Sequence, residues 1–424
     1  MHQGAVEKIK NIISGALQVC TIKNMWPEPA SIAKPIDSLT KEVLKHKGEW
    51  LNEMNVFLIF IEHIFDCVIA AHPDDREISG DLKNILTQDQ LDSLSSSIGE
   101  YFESIPREYD VYLPLPSVNG IGFDSLELGI NVSIKTFSRP IDEIGAPRHG
   151  FGLIGQQQQL DANKVYLCIR CKGYSGGNIE DSCTRDALSG FKLLLYSGKF
   201  RSLFKLEEMS SSVMGLGLGM LRVRDSHEIP KVSLISVDLL HKDSKKIKSE
   251  LSLDLTRFIN KICIDDNAAF IKKAKEAGDD EFKSILLNVF KKSAQLVHQK
   301  NEHVYHIKSA IEWSIDSKAE ENKTLSFIQN CIGLEAILGE DMGDQPITAT
   351  LSDRCAYILG NEPKGRRTLR EKFKKLYKIR SKLVHGNVSR LGDEANEYHR
   401  WGQVILDLLI AKEIKASKLE DMDE

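Results

Sequence analysis

Apolar residues recur at helical spacing through the first hundred positions. Val6, Ile9, Ile13 and Leu17 form one stripe, and Leu82, Ile85, Leu91 and Leu94 form another between Ser79 and Glu103. Between the two, the pattern predicts one long apolar helix from about Ser38 to Ala71, stopped at Pro73, with the proline-bearing stretch 25–35 as a connector. After Pro106 the period shortens. Segments 109–116, 126–137, 164–174 and 231–240 are β-branched and aromatic, bounded by Gly, Pro and Asn, and predict strands. The Gly-rich stretch 144–159 predicts a loop, and 186–206 a helix crossing the β region.

From Leu251 the helical period returns. Four stripes follow residue 301: Val304, Ile307, Ile311 and Ile315; Leu325, Ile328, Ile332 and Leu338; Leu369, Phe373, Leu376 and Leu383; and Tyr398, Trp401, Ile405 and Leu408. A shorter helix is expected over 351–359, and four such stripes bury one another as a bundle. The expected fold is therefore α+β and multidomain. It comprises a helical region over 1–104, an α+β domain over 105–245, a helical connector over 246–300 and an all-α bundle over 301–424.

Two charges interrupt these seams. Arg380 takes the slot between Leu376 and Leu383 where spacing calls for Leu or Ile, and Glu335 does the same after Ile332. An unpaired charge on a buried seam costs several kcal/mol, so the simplest expectation pairs Glu335 with Arg380 across two packed helices.

Composition changes this picture at one place. The 424 residues carry a net charge of −5, which argues against general affinity for nucleic acid. Yet Lys364 to Arg390 holds eleven Lys or Arg against one acid, Glu371, leaving the rest of the chain more acidic than the whole. A basic island of that kind marks either a surface for a polyanion or a solvated helix face. His385 lies five residues beyond Arg380, with Gly386 as the helix stop. Imidazole exchanges protons near neutrality, and guanidinium grips a phosphate without losing its charge. Cleaving RNA through its own 2′-hydroxyl needs both functions. The plainer alternative is an exposed helix-end histidine beside an Arg–Glu packing pair.

The segment 369–387, LREKFKKLYKIRSKLVHGN, resembles the signature of the HEPN superfamily, Arg-x(4–6)-His at the end of a helix, and in particular its Apea-like branch. That branch's Tyr-x-x-Arg-Ser-x-x-x-His-Gly string is matched by Tyr377, Arg380, Ser381, His385 and Gly386. FIQNCIGLEAIL (327–338) is similar to its preceding helix, with Glu335 in the Leu-Glu-Ala position, and LSDRCAYILG (351–360) to its Arg-containing intermediate helix. The resemblance spans roughly 303–418 and implies a helical bundle that dimerises, bringing two Arg/His sets into one cleft. It further implies a metal-independent endoribonuclease without cofactor, serving in antiphage defence or abortive infection. Arg380 and His385 would then be catalytic and Glu335 their organising partner. Lys374, Lys375, Lys378 and Lys382 would draw in the RNA, with Ser381 beside them. Ser381 stands where many nuclease members carry Asn, Asp or His, and some members are inactive and serve only for association. Both readings carry forward. On the first, residues 1–300 would sense or restrain, with a phage-derived trigger or a companion protein as partner; on the second, they would form a ligand- or protein-binding part.

Three other motifs lead elsewhere. HPDD (72–75) looks like a deacetylase zinc motif but ends an amphipathic helix, with Arg76 in place of the usual Glu. Cys168 and Cys171 are three apart on an expected strand and so face opposite sides. MGLGLGM (214–220) lacks the Lys and Ser/Thr of a phosphate loop, and of His298, His303 and His306, grouped on one expected helix, the last two lack an evident acidic ligand set. Eight scattered cysteines, no apolar leader in the first ten residues, and Glu62, His63 and Asp66 breaking the longest apolar run (56–71) predict a cytoplasmic protein that does not span a membrane.

Overall fold

The computed structural model describes residues 1–73, 77–118, 122–136, 164–207, 230–240, 246–339, 347–386 and 390–417. The expected loops at 144–159 and 214–220, and residues 74–76 of the HPDDRE stretch, lie outside them.

The N-terminal part contains α1 (Gln3–Val19), β1 (Thr21–Lys23), β2 (Trp26–Pro27), α2 (Pro29–Lys47), α3 (Glu53–Ala71), β3 (Gly80–Asp81), α4 (Leu82–Ile85) and α5 (Gln88–Ser104). The single helix expected over 38–71 is two helices. Asn52 and Asn55 exchange side-chain and backbone hydrogen bonds of 2.9 Å, a capping box that starts α3 afresh after the Gly48 turn. The expected connector at 25–35 is mostly helix. Pro29 occupies the first turn of α2, where its missing N–H is not needed, and Pro35 is accommodated inside the helix. By length and composition α3 is apolar enough to cross a membrane, contrary to the sequence expectation. Here Val56, Ile59, Phe60, Ile64 and Val68 fill the N-terminal core together with residues of α1, α2 and α5, the placement of a buried core helix.

The middle part supplies β4 (Arg107–Leu115), β5 (Ser125–Gly129), β6 (Val132–Thr136), β7 (Val165–Gly173), α6 (Ser182–Phe200), β8 (Phe204–Leu206), β9 (Ser233–Asp238) and β10 (Lys246–Glu250). Then come α7 (Leu253–Asn260), β11 (Ile262–Ile264), α8 (Ala269–Ala277) and α9 (Asp279–Val297). Six strands form one antiparallel sheet in the order β10-β9-β4-β7-β6-β5. The sheet runs past the boundary expected at 245, because β10 pairs with β9 from Lys246 to Glu250. Alternation sends Val111, Leu113, Leu167 and Ile169 under α6 and α9, and Tyr112, Tyr166 and Cys168 to the other face. Cys168 and Cys171 accordingly sit on opposite faces of β7, and all eight cysteines are free thiols. A Cβ at Gly190 would come within 2.7 Å of Ile169 Cδ1, so glycine is what lets α6 lie this close to the sheet.

The last part holds α10 (Glu302–Ala319), α11 (Lys323–Leu338), α12 (Ile347–Leu359), α13 (Pro363–Val384) and α14 (Asp393–Ala416). One buried cluster runs from Tyr109 in the sheet to Ile410 in α14, so the α+β part and the bundle share a core. Polar ties reinforce the join: Lys192 of α6 pairs with Asp316 of α10 at 2.7 Å, and Ser189 bonds to Glu312. The N-terminal part docks on the same assembly through Asp181, which accepts hydrogen bonds from Asn55 and from the Gly176 and Asn178 amides.

Two seams differ from expectation. The core face of α11 is Phe327, Cys331, Leu334 and Leu338 with Asn330 and Gly333, while Leu325 is 45% exposed and Ile328 and Ile332 are half-buried. Small residues set that face: a Cβ at Gly333 would meet Leu406 Cδ2 at 2.7 Å, so hydrophobicity alone misorients the helix. In α14, Leu408 is exposed, and Leu406, Leu409 and Ile410 are buried instead.

Two interior histidines fix one pH response. His399 is buried with Nε2 3.1 Å from Ser326 Oγ, and burial, then the Lys323 charge, push its pKa down. His298 is pushed down by burial and by Lys308. Folding therefore favours the neutral rings, while the unfolded chain takes up protons below its ordinary value of 6.5. Their stabilisation is whole above that pH and is lost as pH falls through the lowered folded values. The melting temperature should drop between about pH 7.5 and 5.5, and His399→Gln should flatten part of that slope. A profile that His399→Gln leaves unaltered would exclude the account for this residue.

Candidate functional site

The basic island folds as α13, begun by Pro363 in the first turn. Phe373, Leu376 and Tyr377 form its buried face, the two rings stacked at 4.9 Å. Helical geometry, about 100° per residue, assigns the other positions. Lys374, Lys375, Lys378, Ser381, Lys382 and His385 are all exposed and share the outward side. Among the described residues none of these lysines makes an ion pair. The outward side thus carries a row of uncompensated positive charge.

Arg380 is elsewhere. Its Nη2 lies 3.3 Å from Glu335 Oε1 of α11, the pairing that the two interrupted seams predict, with both side chains 30% exposed rather than buried. Glu335 sits on the flank of α11 because Gly333 and Cys331, and not Ile328 and Ile332, face the core. Orphaned polar atoms lie within these helices: Arg380 Nε, and both amide atoms of Asn330 on the α14 side of α11, are buried and lack hydrogen-bond partners among the described residues. Burial and then the Glu335 charge push the Tyr377 hydroxyl well up, and burial does the same to the Cys331 thiol. Such groups are uncommon in folded proteins and collect where side chains are held for something other than stability.

His385 caps the helix. Its N–H donates to Ser381 O at 3.0 Å, and Gly386 follows at φ +72°, the left-handed turn that ends many helices. Five residues separate it from Arg380, about 140° around the axis, and no bond joins the two side chains. One chain therefore presents an imidazole on the lysine side and a guanidinium on the packed side, toward α11. Half-buried Ile332, Ile379 and Leu383, with exposed Val384, neighbour the Arg380–Glu335 pair by helical spacing, and Ile328 and exposed Leu325 continue that side of α11.

The remaining sequence candidates sit apart. His298 caps the end of α9, whereas His303 and His306 belong to α10, so the three do not share a helix. His303 Nε2 is 3.7 Å from Glu413 Oε2, an acid far along the chain that local spacing does not reveal. The described residues contain no group of three or more His, Cys, Asp or Glu able to hold a metal ion. Chemically, α13 offers a polyanion a line of fixed charge ending in a titratable ring. Compared with known proteins, the chain matches no family model, no curated protein and no solved structure.

Proposed function

We propose that this chain is an endoribonuclease of the HEPN type, acting as a homodimer in antiphage defence. The observation that carries the reading is the exposed, unpaired row Lys374, Lys378 and Lys382 leading to His385, with Arg380 held by Glu335 on the other side of the same helix. The lysines bring in the RNA backbone by replacing its counterions. His385 takes the proton from the 2′-hydroxyl; that oxygen bonds to phosphorus, and the bond to the 5′-oxygen breaks as a proton returns to it. Arg380 stabilises the charge on the phosphorane oxygens. The residues named need no metal for these steps, and Ser381 supplies a hydroxyl beside them.

The apolar surround of the Arg380–Glu335 pair supports a second copy docking there, which would bring one chain's guanidinium to the other's imidazole. Residues 1–300 then sense a phage-derived trigger or a companion protein. The competing reading is an inactive association module. It is supported by Ser381 and by an Arg380 engaged with Glu335 and turned away from its own His385.

The test uses total RNA with the purified full-length protein in EDTA. The nuclease reading expects cleavage leaving 2′,3′-cyclic phosphate ends. Its failure with a phage lysate added, together with no toxicity on expression, sinks the nuclease reading and leaves the module.

A further inference from the structure

We infer that a cleft at the other end of α13 is a base-binding subsite for single-stranded RNA, an inference that rests on the reading above. The cleft has a volume of about 510 Å³ and is bounded by α10, α11, α12, α13 and α14. Its lining is mixed: Ile307, Ile337, Leu338 and Ile358 supply apolar surface, and His303, His306, Arg354 and Glu413 stand among them. At its rim Tyr357 is 75% exposed, unusual for a large aromatic side chain, and the Arg366 guanidinium lies 5.5 Å from the ring centroid. Arg370 and Asp353 complete the rim as an exposed ion pair at 2.5 Å.

Three features select the ligand. Arg370, Lys374, Lys378 and Lys382 follow one another at four-residue spacing, so the rim cation starts the same charged row that ends at His385. From Arg370 to His385 is about 22 Å along the axis, room for several nucleotides. Unpaired bases expose flat faces that stack on aromatic rings and polar edges that hydrogen-bond, and a cleft of mixed lining with an aromatic lip fits one of them. Asp353 supplies an acceptor for an exocyclic amine, and Arg370 a donor for the attached phosphate. The cleft holds one end of the strand while the scissile bond lies at the other.

The measurement is fluorescence anisotropy of a labelled single-stranded oligonucleotide with the full-length chain in a His385→Ala background, which prevents cleavage. Tyr357→Ala should weaken binding about tenfold, within the range of base–aromatic stacking, and Tyr357→Trp should restore it. Lys374→Glu with Lys378→Glu should weaken binding of every sequence and lessen its salt dependence. If Tyr357→Ala binds like the background while the double lysine variant loses affinity, the subsite is refuted and the charged row stands. If the background chain binds no oligonucleotide, the nuclease reading falls and takes the subsite with it. Adenosine monophosphate is the control: tight binding that fails to compete with the oligonucleotide makes the cleft a small-ligand site and overturns the inference.

Discussion

An Arg380→Ala chain mixed with a His385→Ala chain should recover RNA cleavage that neither shows alone. Each substitution by itself should lower the rate about 10²- to 10⁴-fold, the span for losing a proton-transfer group or a charge that stabilises the transition state. In a mixed dimer whose sites each combine one chain's arginine with its partner's histidine, one site loses both groups and the other keeps both. Random pairing then returns up to about a quarter of parental activity. A site built within one chain predicts no recovery at all. The expectation of sharing follows from α13 itself, which turns the two side chains about 140° apart. Arg380→Lys separates charge from shape: it keeps the cation near Glu335 but loses the planar fork that grips a phosphate. Activity should remain far below the parent. A mixture as inactive as its components would exclude the shared site.

Asp407→Ala should destabilise the fold by about 3–5 kcal/mol, the cost of leaving a buried cation without its counter-charge. Lys318 is 11% exposed and donates to Asp407 Oδ1 and, at 2.7 Å, to Ser314 Oγ. Burial pulls its pKa down and Asp407 opposes that, so removing the carboxylate strips away the group that keeps the ammonium charged. The pair ties α10 to α14, and the Tyr196 hydroxyl of α6 reaches the Asp407 carbonyl at 2.8 Å. The double variant Lys318→Met with Asp407→Leu should lie close to the parent, since an apolar pair of similar volume replaces a buried ion pair at little cost. Urea denaturation measures both. A loss below about 1 kcal/mol for Asp407→Ala would show that the ammonium reaches water.

The legible parts of the chain were those written in local spacing. Strands β4, β6, β7 and β9 follow β-branched runs, and the bundle helices follow apolar stripes. The Arg380–Glu335 pair was legible because each charge broke a stripe. Its burial was misjudged because Gly333, Cys331 and Asn330, a poor apolar signal, form the true core face of α11. Strands β8, β10 and β11 escaped notice for another reason. Phe204–Leu206 and Ile262–Ile264 are three residues each and pair with each other across a long stretch of chain, while Lys246–Glu250, with three charges in five residues, is made a strand by its neighbour β9. The cleft at Tyr357 draws residues from five helices, a convergence that no local window contains.

Helix α6 has thirteen of its nineteen residues buried, facing the sheet on one side and α10 on the other. It acts as a common axle for both halves. A bundle severed from the rest of the chain would carry the imprint of α6 as bare greasy surface and would clump instead of working alone. Proteolytic clipping between α6 and the bundle is therefore expected to cost the bundle its solubility, whatever activity it carries.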